Sequence, residues 1–73
     1  MTKIEEIYAN VLPELEKAGV EDTTEHRLWA LEGLYDGWTE DPNLPPEAMP
    51  WLLACRMEII ALKMRLIPKN WVI

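Results

Sequence analysis

An all-α fold is what this sequence predicts, a small three-helix domain over residues 1–73 with the C-terminal helix as its hub, and three observations point to it. Apolar residues recur at helical spacing in three segments, and no segment alternates with the two-residue period of a strand. Gly19 falls between the first two of those segments, and four prolines lie across residues 39–50 ahead of the third. The last segment carries apolar residues on two sides, which suits a helix packed among neighbours.

Thr2 and Glu5 have the spacing of a capping box, and Ile4, Ile7, Tyr8 and Val11 follow on one helical face, so helix one begins at residue 2 or 3. Pro13 lacks a backbone donor and crowds the carbonyl four residues earlier, which predicts a kink or restart with a bend near Val11–Leu12 before Gly19 closes the helix. Asp22, with Glu25 three residues on and Thr23 and Thr24 beside it, opens a second helix over 23–38, whose Leu28, Leu31, Leu34, Tyr35 and Trp38 share a stripe. Gly37 and the segment Thr39–Pro46 form the main connection, ordered but exposed. Helix three starts among Pro46, Glu47 and Pro50, where missing proline donors do no harm, and ends before Pro68. One of its stripes is Leu53, Met57, Ile60, Met64 and Ile67; the other is Trp51, Cys55, Ile59, Leu62 and Leu66. Two stripes need two neighbours: either the first two helices clasp helix three, or one stripe is left for another chain. Methionine at helical spacing is ordinarily core, so Met57 and Met64 are expected inside.

Charge is divided along the chain. Residues 1–47 hold twelve of the thirteen acids against Lys3, Lys17 and Arg27, whereas residues 48–73 hold Glu58 against Arg56, Lys63, Arg65 and Lys69. The net charge of −6 disfavours nonspecific binding to nucleic acid or anionic lipid through phosphate neutralisation, which leaves proteins as the expected partners. The longest apolar run, Trp51 to Ile67, is broken by Arg56, Glu58, Lys63 and Arg65, too short and too charged to span a hydrocarbon core of about 30 Å. One cysteine allows no internal disulfide, and no charged-then-apolar leader opens the chain, so the expected compartment is the cytoplasm.

Chemistry is sparse. The chain has no serine, one histidine, one cysteine and no glycine-rich phosphate loop, so no enzyme and no cofactor are expected. Cys55 lies on an apolar stripe, where a packed, inert thiol is the ordinary finding. Glu21, Asp22, Glu25 and His26 gather possible cation ligands at a helix start, but capping and the helix dipole account for acids there without a metal. Trp29 stands apart. It lies off the apolar stripe of helix two among Glu25, Glu32 and Asp36, and these four residues are the candidate partner-binding site. An indole ringed by carboxylates suits a basic partner; the alternative is that Trp29 packs against another part of the same chain. The acids of helix one and the first connection, Glu14, Glu16, Glu21 and Asp22, read as a solvated face or as a surface that steers encounter with a basic groove.

From KIEEIYANVLPELEKAG to RLIPKNWVI, the chain in its size, acidity, helical pattern and lack of chemistry resembles the small phage-encoded regulators that bind host RNA polymerase. That resemblance implies inhibition of initiation, modulation of termination and residence in the host cytoplasm. A second resemblance covers Leu44 to the end: Ala54–Arg56, Leu62–Met64, Ile67-Pro68 and Trp71 are similar to the Hha/YmoA modulators of nucleoid proteins, with a shortened segment before Ile67 and a more acidic first half. It implies a nucleoid-associated protein as the alternative partner.

Overall fold

A computed structural model describes residues 2–67, so Pro68, Lys69 and Trp71, noted above, lie outside the described residues. Three α-helices form: α1 (Lys3–Ala18), α2 (Thr24–Glu40) and α3 (Met49–Leu66), with a 3-10 turn at Pro46–Ala48 leading into α3. All three pairs of helices touch, and α3 packs on both others, so the expected hub is the observed one.

Local sequence explains most of the ends. Thr2 Oγ1 accepts from Glu5 N at 3.2 Å while the Glu5 side chain reaches back to the Thr2 backbone, a complete capping box. At the other end Gly19 takes φ 71°, a left-handed conformation that a side chain would strain. Gly19 N donates to Glu16 O and Val20 N to Leu15 O, so the last turn of α1 is closed and half-buried Val20 packs on the core.

Three local expectations are corrected. The restart at Pro13 is not there: α1 runs unbroken from Lys3 to Ala18 with Pro13 inside it. Pro13 and Ala9, whose carbonyl loses its helical donor, are both exposed, so that carbonyl is open to water and the helix tolerates the loss. The cap of α2 is Thr23, not Asp22; Thr23 Oγ1 accepts from His26 N at 3.2 Å, and Asp22 instead pairs with Arg27. Finally, α2 continues to Glu40 and includes Gly37, which leaves a shorter connection. Asp41 Oδ1 accepts from Asn43 N at 2.9 Å and Asp41 O from Leu44 N, a turn that tucks Leu44 inward while its neighbours stay exposed.

The core joins Ile7, Val11 and Leu15 of α1, Leu31 of α2, and Leu52, Cys55, Ile59 and Leu62 of α3. Leu28, Leu34, Tyr35, Trp38 and Trp51 are half-buried against it. Polar links fix the pose of α3. Tyr8 Oη donates to Glu58 Oε2 at 2.5 Å, Trp51 Nε1 donates to Glu6 Oε2 at 2.6 Å, and the Cys55 thiol points at Leu31 O, 3.6 Å away. Among the described residues, no helix is long and apolar enough to cross a membrane.

α3 therefore uses one stripe only. Its Cys55, Ile59 and Leu62 are buried between α1 and α2, whereas Leu53, Met57, Ile60 and Met64 stand 53–70% exposed on the far side. Met57 and Met64, expected inside, are on the surface. The reason is geometric: α1 and α2 pack on adjacent sides of α3, and nothing among the described residues covers its back.

Two groups tie the core to pH. Burial first and Glu58 second push the Tyr8 hydroxyl from 10.0 up to about 12, and burial first and the Glu58 charge second push the Cys55 thiol from 9.0 up to about 11. Raised values mean that stability is complete below the unfolded pKa and is lost as pH rises through the folded one. Urea midpoints should therefore hold steady up to about pH 8.5 and fall between about pH 9 and 12. Cys55→Ala should flatten the lower part of that fall and Tyr8→Phe the upper part. Thiol labelling offers a separate check: Cys55 should react slowly in the native protein and fast in urea, and rapid native labelling would contradict its burial.

Candidate functional site

The outward face of α2 is built by helical spacing. Trp29, Glu25, Glu32 and Asp36 fall on neighbouring turns away from Leu31, the residue of α2 that is fully buried in the core. Trp29 is 59% exposed, so the alternative that it packs into its own chain is not what forms. Around it Glu25, Leu28, Glu32, Gly33 and Asp36 line a shallow depression. Gly33, one turn beyond Trp29, leaves open space where a side chain would stand.

Tertiary packing adds what spacing along α2 does not show. On its other side Trp29 borders a groove between α1 and α2 with Asn10, Glu14, Ala30 and Leu34. Glu14, read from sequence as part of a general acidic face, is thus a neighbour of the same indole. No helical periodicity within α2 signals it, because the contact depends on how α1 lies across α2. The carboxylates of Glu14, Glu25, Glu32 and Asp36 form no ion pair among the described residues. Glu32 and Asp36 also share a groove with Arg56 and Lys63 of α3, near enough to line it together but not to pair.

The other chemical candidates are absorbed locally. His26 Nδ1 lies 2.7 Å from Glu21 O, an acceptor, which assigns the ring proton to Nδ1. Asp22 makes a two-pronged contact with Arg27, whose hydrogen bonds hold the Asp22 carboxyl below the usual range, and the Arg27 guanidinium sits 5.1 Å from the Tyr8 ring centroid. Among the described residues, no group of three or more His, Cys, Asp or Glu is placed to hold a metal ion. The Cys55 thiol is fully buried and stays protonated near neutral pH, which leaves it a packing residue.

A flat aromatic with a free face among four carboxylates suits a cationic side chain, which the indole attracts through its quadrupole and the acids through charge. Set against known proteins, the chain matches no family model, no curated protein and no solved structure, so this surface is read from its own side chains.

Trp29 and Trp38 should behave oppositely on substitution. Trp29→Ala, on the exposed face, should move the thermal midpoint little, whereas Trp38→Ala removes an indole packed on the core and should cost roughly 2–4 kcal/mol. Unfolding of the Trp29 variant in a thermal melt would show that the indole holds the fold together.

Proposed function

We propose that this chain is a non-enzymatic regulator that docks on a larger protein machine through the acidic face of α2, and that the machine is bacterial RNA polymerase. The observation that carries the reading is Trp29, 59% exposed and bordered by Glu14, Glu25, Glu32 and Asp36. Large nucleic-acid enzymes hold their substrates in basic grooves, and an acidic domain is drawn to such a surface by the field that draws nucleic acid. Binding there inhibits initiation by occupying or reshaping a surface that the initiation complex needs, and a regulator that stays bound during elongation alters termination. The general character of the chain, shared with small phage-encoded regulators that act in the host cytoplasm, supports this choice.

In this mode carboxylates set the rate of encounter and the indole sets the lifetime of the complex. Charged surfaces steer association over distances that salt screens beyond about 8 Å, while a buried aromatic anchor contributes about 2 kcal/mol or more.

Purified core polymerase and the full chain test both halves. Association rates should fall by at least about tenfold between 50 and 500 mM salt, and Trp29→Ala should weaken the complex by roughly 30-fold, mostly by faster dissociation. In a promoter-driven transcription assay the chain should lower initiation and change readthrough at a terminator, and Trp29→Ala should lose both effects. No binding to polymerase, together with a stable complex with a purified nucleoid-associated protein, would replace this reading by the alternative one.

A further inference from the structure

The back of α3 is a continuous apolar surface. Met49, Leu53, Met57, Ile60, Met64 and Ile67 are 49%, 56%, 70%, 53%, 64% and 36% exposed and fall on one side of the helix, opposite buried Cys55 and Leu62. Together they expose on the order of 600 Å², at the upper end of what monomeric proteins leave uncovered and close to one partner's share of a standard interface. The stripe runs the length of α3, about five turns, and so covers the i, i+3, i+4 and i+7 anchors by which one helix reads another.

Charge along the stripe says what fits there. Arg56 and Lys63 edge it on the side toward α2, where they share a groove with Glu32, Tyr35 and Asp36, yet neither makes an ion pair among the described residues. Arg65 adds a third base in the last turn. Glu58, the one acid of α3, is turned away and bound by Tyr8. A face that is apolar with basic edges thus stands on a chain whose net charge is −6.

We propose that this face is a docking site for an amphipathic helix of a partner protein, one whose apolar stripe is flanked by carboxylates. Such a helix buries its apolar residues on Leu53, Met57, Ile60 and Met64 and sets its acids against Arg56 and Lys63, making a fourth helix of the bundle. The flexible thioethers of Met57 and Met64 adapt to side chains of different shape. A second copy is the poorer occupant, because pairing two α3 faces brings Arg56, Lys63 and Arg65 of both copies together. A membrane is poorer too, since Leu53, Met57, Ile60 and Met64 include no Trp or Tyr to sit at the headgroup boundary. This site is on a different helix from Trp29, meets that face at Glu32 and Asp36, and does not rest on it.

The test uses two labelled twenty-residue peptides with leucines at i, i+3, i+4 and i+7, one flanked by glutamates and the other by lysines, titrated with the full chain and read by fluorescence anisotropy. The acidic peptide should bind at least tenfold tighter than the basic one. Met57→Glu with Met64→Glu should abolish binding of the acidic peptide without lowering the thermal midpoint, Arg56→Glu with Lys63→Glu should weaken it at least about tenfold, and Trp29→Ala, which removes the anchor that a basic peptide would use, should leave it unchanged. Equal affinities, or no binding of either peptide, overturn the proposal. A concentration-dependent dimer in sedimentation velocity that Met57→Glu dissolves would identify a second copy as the occupant, and co-sedimentation with phosphatidylglycerol vesicles a membrane; either result overturns it as well.

Discussion

The contact between Cys55 and Leu31 is the constraint on which the rest of this small fold hangs. Both side chains are fully buried, and the thiol reaches the Leu31 carbonyl at 3.6 Å, so α3 meets α2 where a small residue allows close approach. A chain of 73 residues buries only about 60% of its unfolded surface, which leaves a stability margin of a few kcal/mol. With so little to spare, the line Cys55–Ile59–Leu62 has to serve α1 and α2 at once. Spreading the two helices around α3 to cover its back would open that line to water.

Because the apolar core is narrow, polar links help determine how α1 lies on α3. Tyr8 to Glu58 and Trp51 to Glu6 each join a neutral donor to a carboxylate, a type of bond worth about 1.5–3 kcal/mol when partly shielded. The Lys3 ammonium stands 5.5 Å from the Trp51 ring centroid and adds a cation–π contact to the same corner. These links have a second effect. They engage Glu6 and Glu58 inside the fold, so the carboxylates that remain free are concentrated on α2 and the outer side of α1. By comparison, the Arg27–Asp22 pair is half exposed and contributes little to stability.

The molecule consequently presents two surfaces of different character. On α2 an indole lies among acids, on α3 methionines and aliphatic side chains lie beside bases, and neither set forms an ion pair among the described residues. Both are by-products of the same packing, since each is the side of a helix that the shared core leaves out. The charge division between residues 1–47 and 48–73 thus becomes two faces that meet at the groove shared by Glu32, Asp36, Arg56 and Lys63.

Sequence alone determined the number of helices, their class and the placing of Trp29 off the apolar stripe of α2, though not its exposure, because capping residues, prolines and helical spacing act over a few residues and are visible in any short window. The same local signals predicted both stripes of α3 and the acids around Trp29. Other features are decided by three dimensions. Pro13 stays within α1 because the turn around it faces solvent, and Glu14 comes to border Trp29 only through the crossing of α1 and α2. Met57 and Met64 look like core in sequence, since spacing shows that residues share a face but not whether a neighbour covers it. That depends on where α1 and α2 settle around α3, and the packing at Cys55 and Leu31 draws both helices to one side.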